Sequence, residues 1–213
     1  MVNDSIASKA VNEFRTPAEP GQAQTRVLGS RFLGRALPVS SEENVIPLLE
    51  AEKRRYHDAT HWCFAFSVCV GSGKLEKSSD AGEPRGTAGL PILREIQKRE
   101  ITDCLVIVTR YFGGTKLGRG NLARAYGECA ALTLDATPIM TRKILAVLRL
   151  ECSFDDQNTV YAVAHRFQAR VDPVLAADHA GFTLLFSPEL ENSLISVLIE
   201  ESRGRIRVIK NET

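Results

Sequence analysis

The clearest alternation of apolar side chains lies between residues 61 and 70, in the segment HWCFAFSVCV. In an extended chain, alternate residues point to opposite faces, so this segment predicts a β-strand. Five large apolar side chains share one of its faces: Trp62, Phe64, Phe66, Val68 and Val70. A second segment, DCLVIVTR at 103–110, is apolar through its centre, which predicts a strand buried on both faces of a sheet.

A further strand is expected over residues 31–39, followed by a helix whose start has two readings. Ser40 and Glu43 have the spacing of a capping box. A start nearer Asn44 would instead put Pro47 in the first turn, where a proline costs no hydrogen bond. The residue pattern leaves both starts open.

The remaining elements of the first two thirds are a polar loop and two helices. The loop is expected from Gly71 to Gly86, and a helix then begins at Gly89 with Pro91 in its first turn. Another helix begins near Gly120. One stripe of that helix is expected to be buried, and it contains Leu122, Tyr126, Cys129 and Thr133.

The last third predicts the element order β-α-β-β-α-β, which is that of a ferredoxin-like domain. The segment from Lys143 onward carries 8 basic and 10 acidic residues, so the net charge of +1 comes from the preceding part of the chain. The expected architecture is therefore α+β with two domains. The predicted divisions are an extended N-terminal segment at 1–26 that could include one edge strand, a first domain at 27–137, a linker at 135–143 with a turn at Pro138, and the ferredoxin-like domain at 143–213.

Composition excludes several classes of protein. No apolar run is long enough for a membrane helix, and the first residues do not resemble a secretory signal, so we expect a cytoplasmic protein that does not contact membranes. The cysteines are widely spaced and form no CxxC pair, which favours reduced, buried thiols over a zinc site. His61 is expected to be a hydrogen-bonded residue at a strand end. No cofactor and no metal are expected.

The strongest functional pattern is the stretch TRYFGGTKLGRGNLARAYG at 109–127, which begins at the end of the strand predicted at 103–110. Between residues 110 and 124 it holds four basic residues, four glycines and no acid. Glycines expose backbone N–H groups, and a helix start adds free N–H groups with partial positive charge, so the stretch predicts an anion-binding loop. It does not match a Walker loop, and its G-x-G-x-x-A lies too far from the strand for a dinucleotide site. The candidate phosphate- or nucleic-acid-binding residues are Arg110, Tyr111, Phe112, Gly113, Gly114, Lys116, Gly118, Arg119, Gly120 and Arg124.

A second glycine-rich stretch, SSDAGEPRGTAGLP at 78–91, contains two acids. Asp80 and Glu83 could bind a cation or accept hydrogen bonds from arginines, and they could equally serve in turns, with Thr87 as a helix N-cap. The candidate residues of this stretch, which could contribute to the same site, are Asp80, Gly82, Glu83, Gly86, Thr87 and Gly89.

Together the two stretches, SDAGEPRGTAGLPIL and IVTRYFGGTKLGRGNLARAYGECAALTL, resemble the signature of the IMPACT / YigZ-like family. The resemblance runs from about Gly29 to the end of the chain. It departs from the family pattern at Ala81, where a second acid is usual, and at Asn121, where a glycine is usual. The resemblance implies a first domain related to the second domain of a small-subunit ribosomal protein and a ferredoxin-like second domain. It also implies a role in translation control, since eukaryotic relatives bind the activator of a translation-factor kinase.

Three functions follow as hypotheses. The favoured one is a non-enzymatic translation regulator that binds RNA or the ribosome, with the loop cations on phosphates and Tyr111 or Phe112 stacked on a base. The second is an enzyme that acts on a phosphorylated small molecule and uses Asp80 or Glu83 as acid and base. The third is a protein-interaction regulator in a translation-control kinase pathway, in which the loop cations pair internally with Asp80 and Glu83.

Overall fold

The computed structural model describes residues 13–70, 73–174 and 178–209. It is an α+β protein with two compact units. The first unit is Phe14–Arg142, and the second runs from Lys143 onward and includes Glu13.

The strands up to residue 143 are β1 (Glu13–Pro17), β2 (Gly21–Val27), β3 (Ser30–Pro38), β4 (His61–Val70), β5 (Gly73–Ser79), β6 (Cys104–Tyr111) and β7 (Ile139–Lys143). The helices of this part are α1 (Val45–Arg55), α2 (Gly89–Lys98) and α3 (Arg119–Asp135). Five of the strands form one sheet in the order β2-β3-β6-β4-β5, and each neighbouring pair is antiparallel.

The central strand of this sheet is β6, and both of its faces are covered. Val106 and Val108 pack with Ile92 of α2 and Tyr126 of α3 on one face. On the other face, Leu105 and Ile107 belong to a cluster that includes Val45 of α1. The burial on two faces that the apolar run predicted is therefore confirmed.

The alternation along β4 is also confirmed. Cys63 and Ala65 belong to the core beneath α2 and α3, whereas Phe66 and Val68 pack in the cluster that includes α1. The two faces of β4 therefore meet different helices, with Cys63 and Ala65 in one buried layer and Phe66 and Val68 in the other, whereas Val70 at the strand end is exposed.

Two predictions for this unit were wrong in part. The polar loop expected from Gly71 to Gly86 contains β5, which pairs with β4 at the edge of the sheet; residues 71–72 lie outside the described part. The sequence GKLEKSS is polar because an edge strand has one free side, where charged side chains discourage further pairing. The expected linker contains β7, which pairs with β1.

Of the two starts for the first helix, the structure has the later one, because α1 begins at Val45 after Asn44.

The segment assigned to an extended lead-in, 1–26, contains two strands within the described residues. β1 pairs with β7, and β2 forms the edge of the five-stranded sheet beside β3. β2 and β3 are joined by a two-residue turn in which Leu28 and Gly29 both have positive φ, 45° and 81°. Such a turn matches the twist of the two strands that it joins.

The second unit has the element order that the sequence predicted. Its elements are β8 (Ala146–Cys152), α4 (Gln157–Arg166), β9 (Arg170–Val174), β10 (Ala180–Phe186), α5 (Glu191–Glu201) and β11 (Arg207–Ile209). The strands form an antiparallel sheet in the order β11-β8-β10-β9. Leu150 and Phe182 of this sheet pack with Val160 of α4 and with Leu194 and Leu198 of α5. Residues 175–177, between β9 and β10, lie outside the described part.

Candidate functional site

The two glycine-rich stretches leave the five-stranded sheet from the same edge. The first loop, residues 80–88, follows β5 and leads into α2. The second loop, residues 112–118, follows β6 and leads into α3. β5 and β6 both run antiparallel to β4, which lies between them, so their carboxyl ends lie on one side. The sheet therefore places two loops, each followed by a helix start, beside each other.

A buried ion pair connects the two loops. Arg110, at the end of β6, donates from Nη1 to Oε1 of Glu83 over 2.6 Å, and from Nη2 to Oγ of Ser30 over 3.2 Å. The side chains of Arg110 and Glu83 are 6% and 4% exposed. Arg110 was predicted to contact a phosphate, but its guanidinium is already occupied inside the protein. It follows Val106 and Val108 on the core face of β6, and this alternation was the signal in the sequence that it points inward.

Tyr126 of α3 joins the same cluster, because its hydroxyl donates to Glu83 Oε1 over 2.8 Å. Burial, with the neighbouring Cys63 and Glu83, raises the pKa of Tyr126, so the phenol stays protonated and remains a donor. Burial also raises the pKa of the Cys63 thiol to about 12. The Cys63 sulfur lies 2.9 Å from the carbonyl oxygen of Asp80 and 3.3 Å from the Tyr126 hydroxyl. This thiol is therefore a neutral, buried group.

His61 lies at the start of β4 and contacts two residues of the Asp80–Glu83 turn, Ala81 and Glu83. Its Nδ1 is 2.9 Å from the carbonyl oxygen of Ala81, and its Nε2 is 3.9 Å from Glu83 Oε2. The prediction that His61 is a hydrogen-bonded residue at a strand end is confirmed. Gly82 has a φ of 90°, and a Cβ there would lie 3.3 Å from the His61 ring.

Asp80 precedes helix α2 by nine residues in the sequence, and its carboxylate caps the start of that helix. Its Oδ2 accepts the N–H of Gly86 over 2.7 Å, and its Oδ1 accepts the N–H groups of Ala88 and Gly89 over 2.9 Å each. Burial acts to raise the pKa of this carboxyl, but the three N–H groups outweigh it and the pKa is lowered. Thr87, which the sequence offered as the N-cap, instead donates its hydroxyl to the carbonyl of Pro84 over 2.6 Å.

Gly86 and Gly89, which both lie near Asp80, require glycine for different reasons. Gly86 has a φ of 78°, a region that favours glycine. Gly89 lies so close to β5 that a Cβ would be 2.7 Å from the backbone nitrogen of Ser79. Both glycines therefore let the chain fold back over the Asp80 carboxylate.

The second loop has glycines of two kinds. At Gly113 a Cβ would lie 1.9 Å from the carbonyl carbon of Gly29, so this glycine allows the loop to pack on the β2–β3 turn. At Gly114, Gly118 and Gly120 a Cβ would meet nothing within 4 Å. Gly114 and Gly118 have positive φ, 86° and 76°, so they shape the turn, whereas Gly120 lies in open space in the first turn of α3. The loop therefore presents bare backbone.

The start of α3 has no internal anion. Its N-cap is Gly118, no side chain caps it, and no acid lies in its first turn. The backbone N–H groups of Arg119, Gly120 and Asn121 precede the first helical hydrogen bond, which runs from Leu122 N–H to Gly118 O over 2.9 Å. Within the described residues these three N–H groups have no hydrogen-bond partner. The side-chain amide of Asn121 donates backward to the carbonyl of Leu117 over 3.1 Å.

Exposed cations surround this helix start. Lys116, Arg119 and Arg124 are all exposed. Arg119 Nη2 donates to the carbonyl of Arg85 over 2.9 Å, which joins the second loop to the first. Arg124 Nη1 lies 3.4 Å from Asn121 Oδ1. Arg85, an exposed cation of the first loop, was not among the predicted site residues, although it is the basic residue within GEPRGTAG.

Of the two aromatic candidates, Phe112 is the accessible one. Its side chain is 46% exposed, and its ring centroid is 5.5 Å from the Arg110 guanidinium. Tyr111 is occupied by other groups, because its hydroxyl donates to Asp58 over 2.7 Å and the Arg31 guanidinium lies 4.3 Å from its ring centroid. Only one ring of the pair is therefore placed to stack on a ligand.

The described residues hold no group of three or more His, Cys, Asp or Glu side chains placed to bind a metal ion. Among the helices described, none is long and apolar enough to cross a membrane.

Comparison with known proteins identifies the family of the chain. Residues 28–134 match the model of the Impact N-terminal domain. A Bacillus subtilis protein named IMPACT family member YvyE is 34% identical over 95% of this chain and 93% of the relative. The chain belongs to the IMPACT family. This confirms the membership that the two glycine-rich stretches predicted, and the similarity extends beyond the N-terminal domain to most of the second unit.

Two further similarities cover most of the chain, one to a curated protein and one to a solved structure. The IMPACT family member YigZ of Escherichia coli is 26% identical over 79% of this chain and 82% of that protein. A crystal structure described as that of a hypothetical protein superposes with a TM-score of 0.70 at 23% identity, covering 94% of this chain and 99% of the other. At this identity the superposition establishes a shared fold.

Proposed function

We propose that this IMPACT-family chain is a non-enzymatic translation regulator that binds RNA, free or within the ribosome, through the loop between β6 and α3. The observation that carries the proposal is the uncapped start of α3, where free N–H groups and exposed cations surround bare glycine backbone. Phosphate oxygens are the acceptors that such an arrangement favours. Lys116, Arg119, Arg124 and Arg85 would supply the charges, and Phe112 would stack on a base.

The role of Arg110 in this proposal is structural. Its buried pairing with Glu83 holds the two loops together, so it positions the exposed cations without contacting RNA.

We also propose the two folds that the family resemblance implies. The first unit would be related to the second domain of a small-subunit ribosomal protein, and the second unit would be a ferredoxin-like domain. The strand order of the second unit, β11-β8-β10-β9, is compatible with a ferredoxin-like domain.

The Arg110–Glu83 pair also supports a second candidate, a protein-interaction regulator in translation control. That hypothesis requires loop cations to be buried and paired with the acids of the first loop, and Arg110 meets this requirement. Lys116, Arg119 and Arg124 do not, since they are exposed. An enzyme with Asp80 as its acid or base has less support, because the pKa of Asp80 is lowered and its carboxylate is filled by backbone N–H groups.

The test is binding of the full chain to labelled single-stranded RNA and to ribosomes across a salt series. Four phosphate contacts to single-stranded RNA give a slope of about −2.8 in log affinity against log salt, or roughly a 50-fold loss between 50 and 200 mM. The variant Lys116→Ala/Arg119→Ala should weaken binding at low salt by at least about tenfold and bring the slope to about −1.4.

A matched control removes two exposed cations elsewhere, in Lys53→Ala/Arg54→Ala at the end of α1. This control should keep the affinity and slope of the unaltered chain. Absence of binding at low salt, or equal losses in the two double variants, would contradict RNA contact through the loop. A protein partner retained by the Lys116→Ala/Arg119→Ala variant would then favour the second candidate.

A further inference from the structure

A separate cavity lies at the opposite end of β6 from the glycine-rich loop. The strand has 8 residues, so the two ends are roughly 25 Å apart. The cavity has a volume of about 230 Å³, below the roughly 300–1,000 Å³ of sites for drug-sized ligands. It is lined by Thr16, Pro38, Val39, Ser40, Asn44, Asp103 and Arg142.

Asp103 is held in the wall of this cavity by its backbone and its side chain. It is 8% exposed and has a φ of 52°, an unusual backbone angle for a residue other than glycine. Its carbonyl oxygen accepts the Val39 N–H over 2.9 Å and the Thr16 hydroxyl over 3.4 Å. These contacts hold the residue in a left-handed conformation, which aspartate adopts more readily than most residues.

The carboxylate of Asp103 is only partly satisfied. Oδ1 accepts the Cys69 N–H over 2.8 Å, whereas Oδ2 has no hydrogen-bond partner among the residues that the structure describes. Burial raises the pKa of this carboxyl, and the Cys69 N–H and the charge of Arg142 offset the effect in part. Oδ2 is therefore available to accept a hydrogen bond from a bound donor.

Arg142 contributes a positive charge to the same cavity without closing onto Asp103. It is exposed, and in the described part of the chain it forms no ion pair or hydrogen bond. One anion and one cation therefore line the same small cavity without forming an ion pair with each other.

We propose that this cavity binds a small zwitterion of the amino-acid class, with its ammonium group on Asp103 and its carboxylate on Arg142. A simple anion would meet the Asp103 carboxylate, and a simple cation would meet the Arg142 guanidinium, so the ligand needs both charges. Neutral polar groups complete the lining. Ser40 accepts from the Asn44 amide over 3.1 Å, which leaves the Ser40 hydroxyl hydrogen and the Asn44 carbonyl oxygen for a ligand.

The experiment is calorimetric titration of the full chain with each proteinogenic amino acid and with β-alanine and 4-aminobutanoate, which carry the two charges farther apart. At least one of these should bind saturably at millimolar concentration or below. The same ligand with its carboxylate amidated, or with its amine acetylated, should bind at least tenfold more weakly. If no member of the panel binds saturably, or if the blocked forms bind equally well, the proposal is wrong.

Two variants assign the binding to this cavity. Asp103→Asn keeps an oxygen for the Cys69 N–H and tolerates positive φ, and Arg142→Ala removes an exposed side chain, so both should fold. Each should weaken binding at least tenfold, whereas the control Arg149→Ala, an exposed arginine of β8, should not. Unchanged affinity in both cavity variants would overturn the assignment. Because neither variant touches the glycine-rich loop, RNA binding should remain as in the unaltered chain.

Discussion

The starts of α2 and α3 lie beside each other and differ in what accepts hydrogen bonds from their first backbone N–H groups. Each helix begins with backbone N–H groups that the helix itself cannot satisfy. At α2 the Asp80 carboxylate accepts three hydrogen bonds from Gly86, Ala88 and Gly89. At α3 the cap is Gly118, and no acid lies in the first turn.

This difference separates a structural anion site from an open one. The first loop carries its own anion, so the positive end of α2 is neutralised within the protein. The second loop surrounds an equally positive helix end with further cations, Lys116, Arg119 and Arg124. In the proposed function, the Asp80 carboxylate at α2 corresponds to the phosphate that the start of α3 would bind, and each helix start can be altered separately.

The largest effect is expected from Glu83→Gln, which removes the charge that links the two loops. It would leave Arg110 charged and 6% exposed without a counterion, and breaking a buried pair in this way costs about 3–5 kcal/mol. Unfolding in urea measures the loss of stability. The double variant Glu83→Gln/Arg110→Met should recover part of it, and a loss below about 1 kcal/mol would show that the pair does not hold the loops.

A smaller loss is expected when the internal anion of α2 is removed in Asp80→Ala. Loss of a capping side chain costs about 0.5–2 kcal/mol, and this carboxylate serves three N–H groups, which places the expected value near the upper end. Urea unfolding measures it against Glu19→Ala, which removes an exposed acid in the turn after β1. Equal stability of the two variants would contradict the capping role.

The contribution of Asp80 should depend on pH in a defined direction. The pKa of Asp80 is lowered in the folded state, below about 3.9 for an unfolded aspartate, so the folded state binds its proton less readily. Its stabilisation is therefore complete above the unfolded pKa and is lost as the pH falls through the folded pKa. The difference in unfolding free energy between the unaltered chain and Asp80→Ala should be constant from pH 7 to about 5 and shrink in acid. A difference that grows in acid would contradict this sign.

Much of the framework was predictable from the sequence, because periodicity reports burial. The alternation in β4 and the apolar run in β6 located two central strands correctly. The stripe of Tyr126 and Cys129 on α3 is buried as predicted. β5 was missed because an edge strand needs no apolar alternation, and its lysines and glutamate resemble those of a loop.

The site itself was less predictable, because its decisive contacts join residues far apart in the chain. The sequence predicted that Asp80 lies in a turn or binds a cation. Its partners are instead backbone N–H groups up to nine residues later, which come together only when the loop has folded. Arg110 was grouped with the loop cations although it belongs by alternation to the core face of β6. Lys116 and Arg119 remain exposed, as the anion-binding proposal requires.

The most direct measurement gives α3 the internal anion that α2 already has. Gly120 lies in the first turn of α3 with open space around it, so Gly120→Glu and its control Gly120→Ala should both fold without loss of stability. The glutamate would place a negative charge at the helix start, which is favourable to the helix and repels phosphate. We expect Gly120→Glu to weaken RNA binding at least tenfold and Gly120→Ala to leave it within about twofold. Equal RNA affinity in the two variants would contradict the account that the open start of α3 is where this protein binds phosphate.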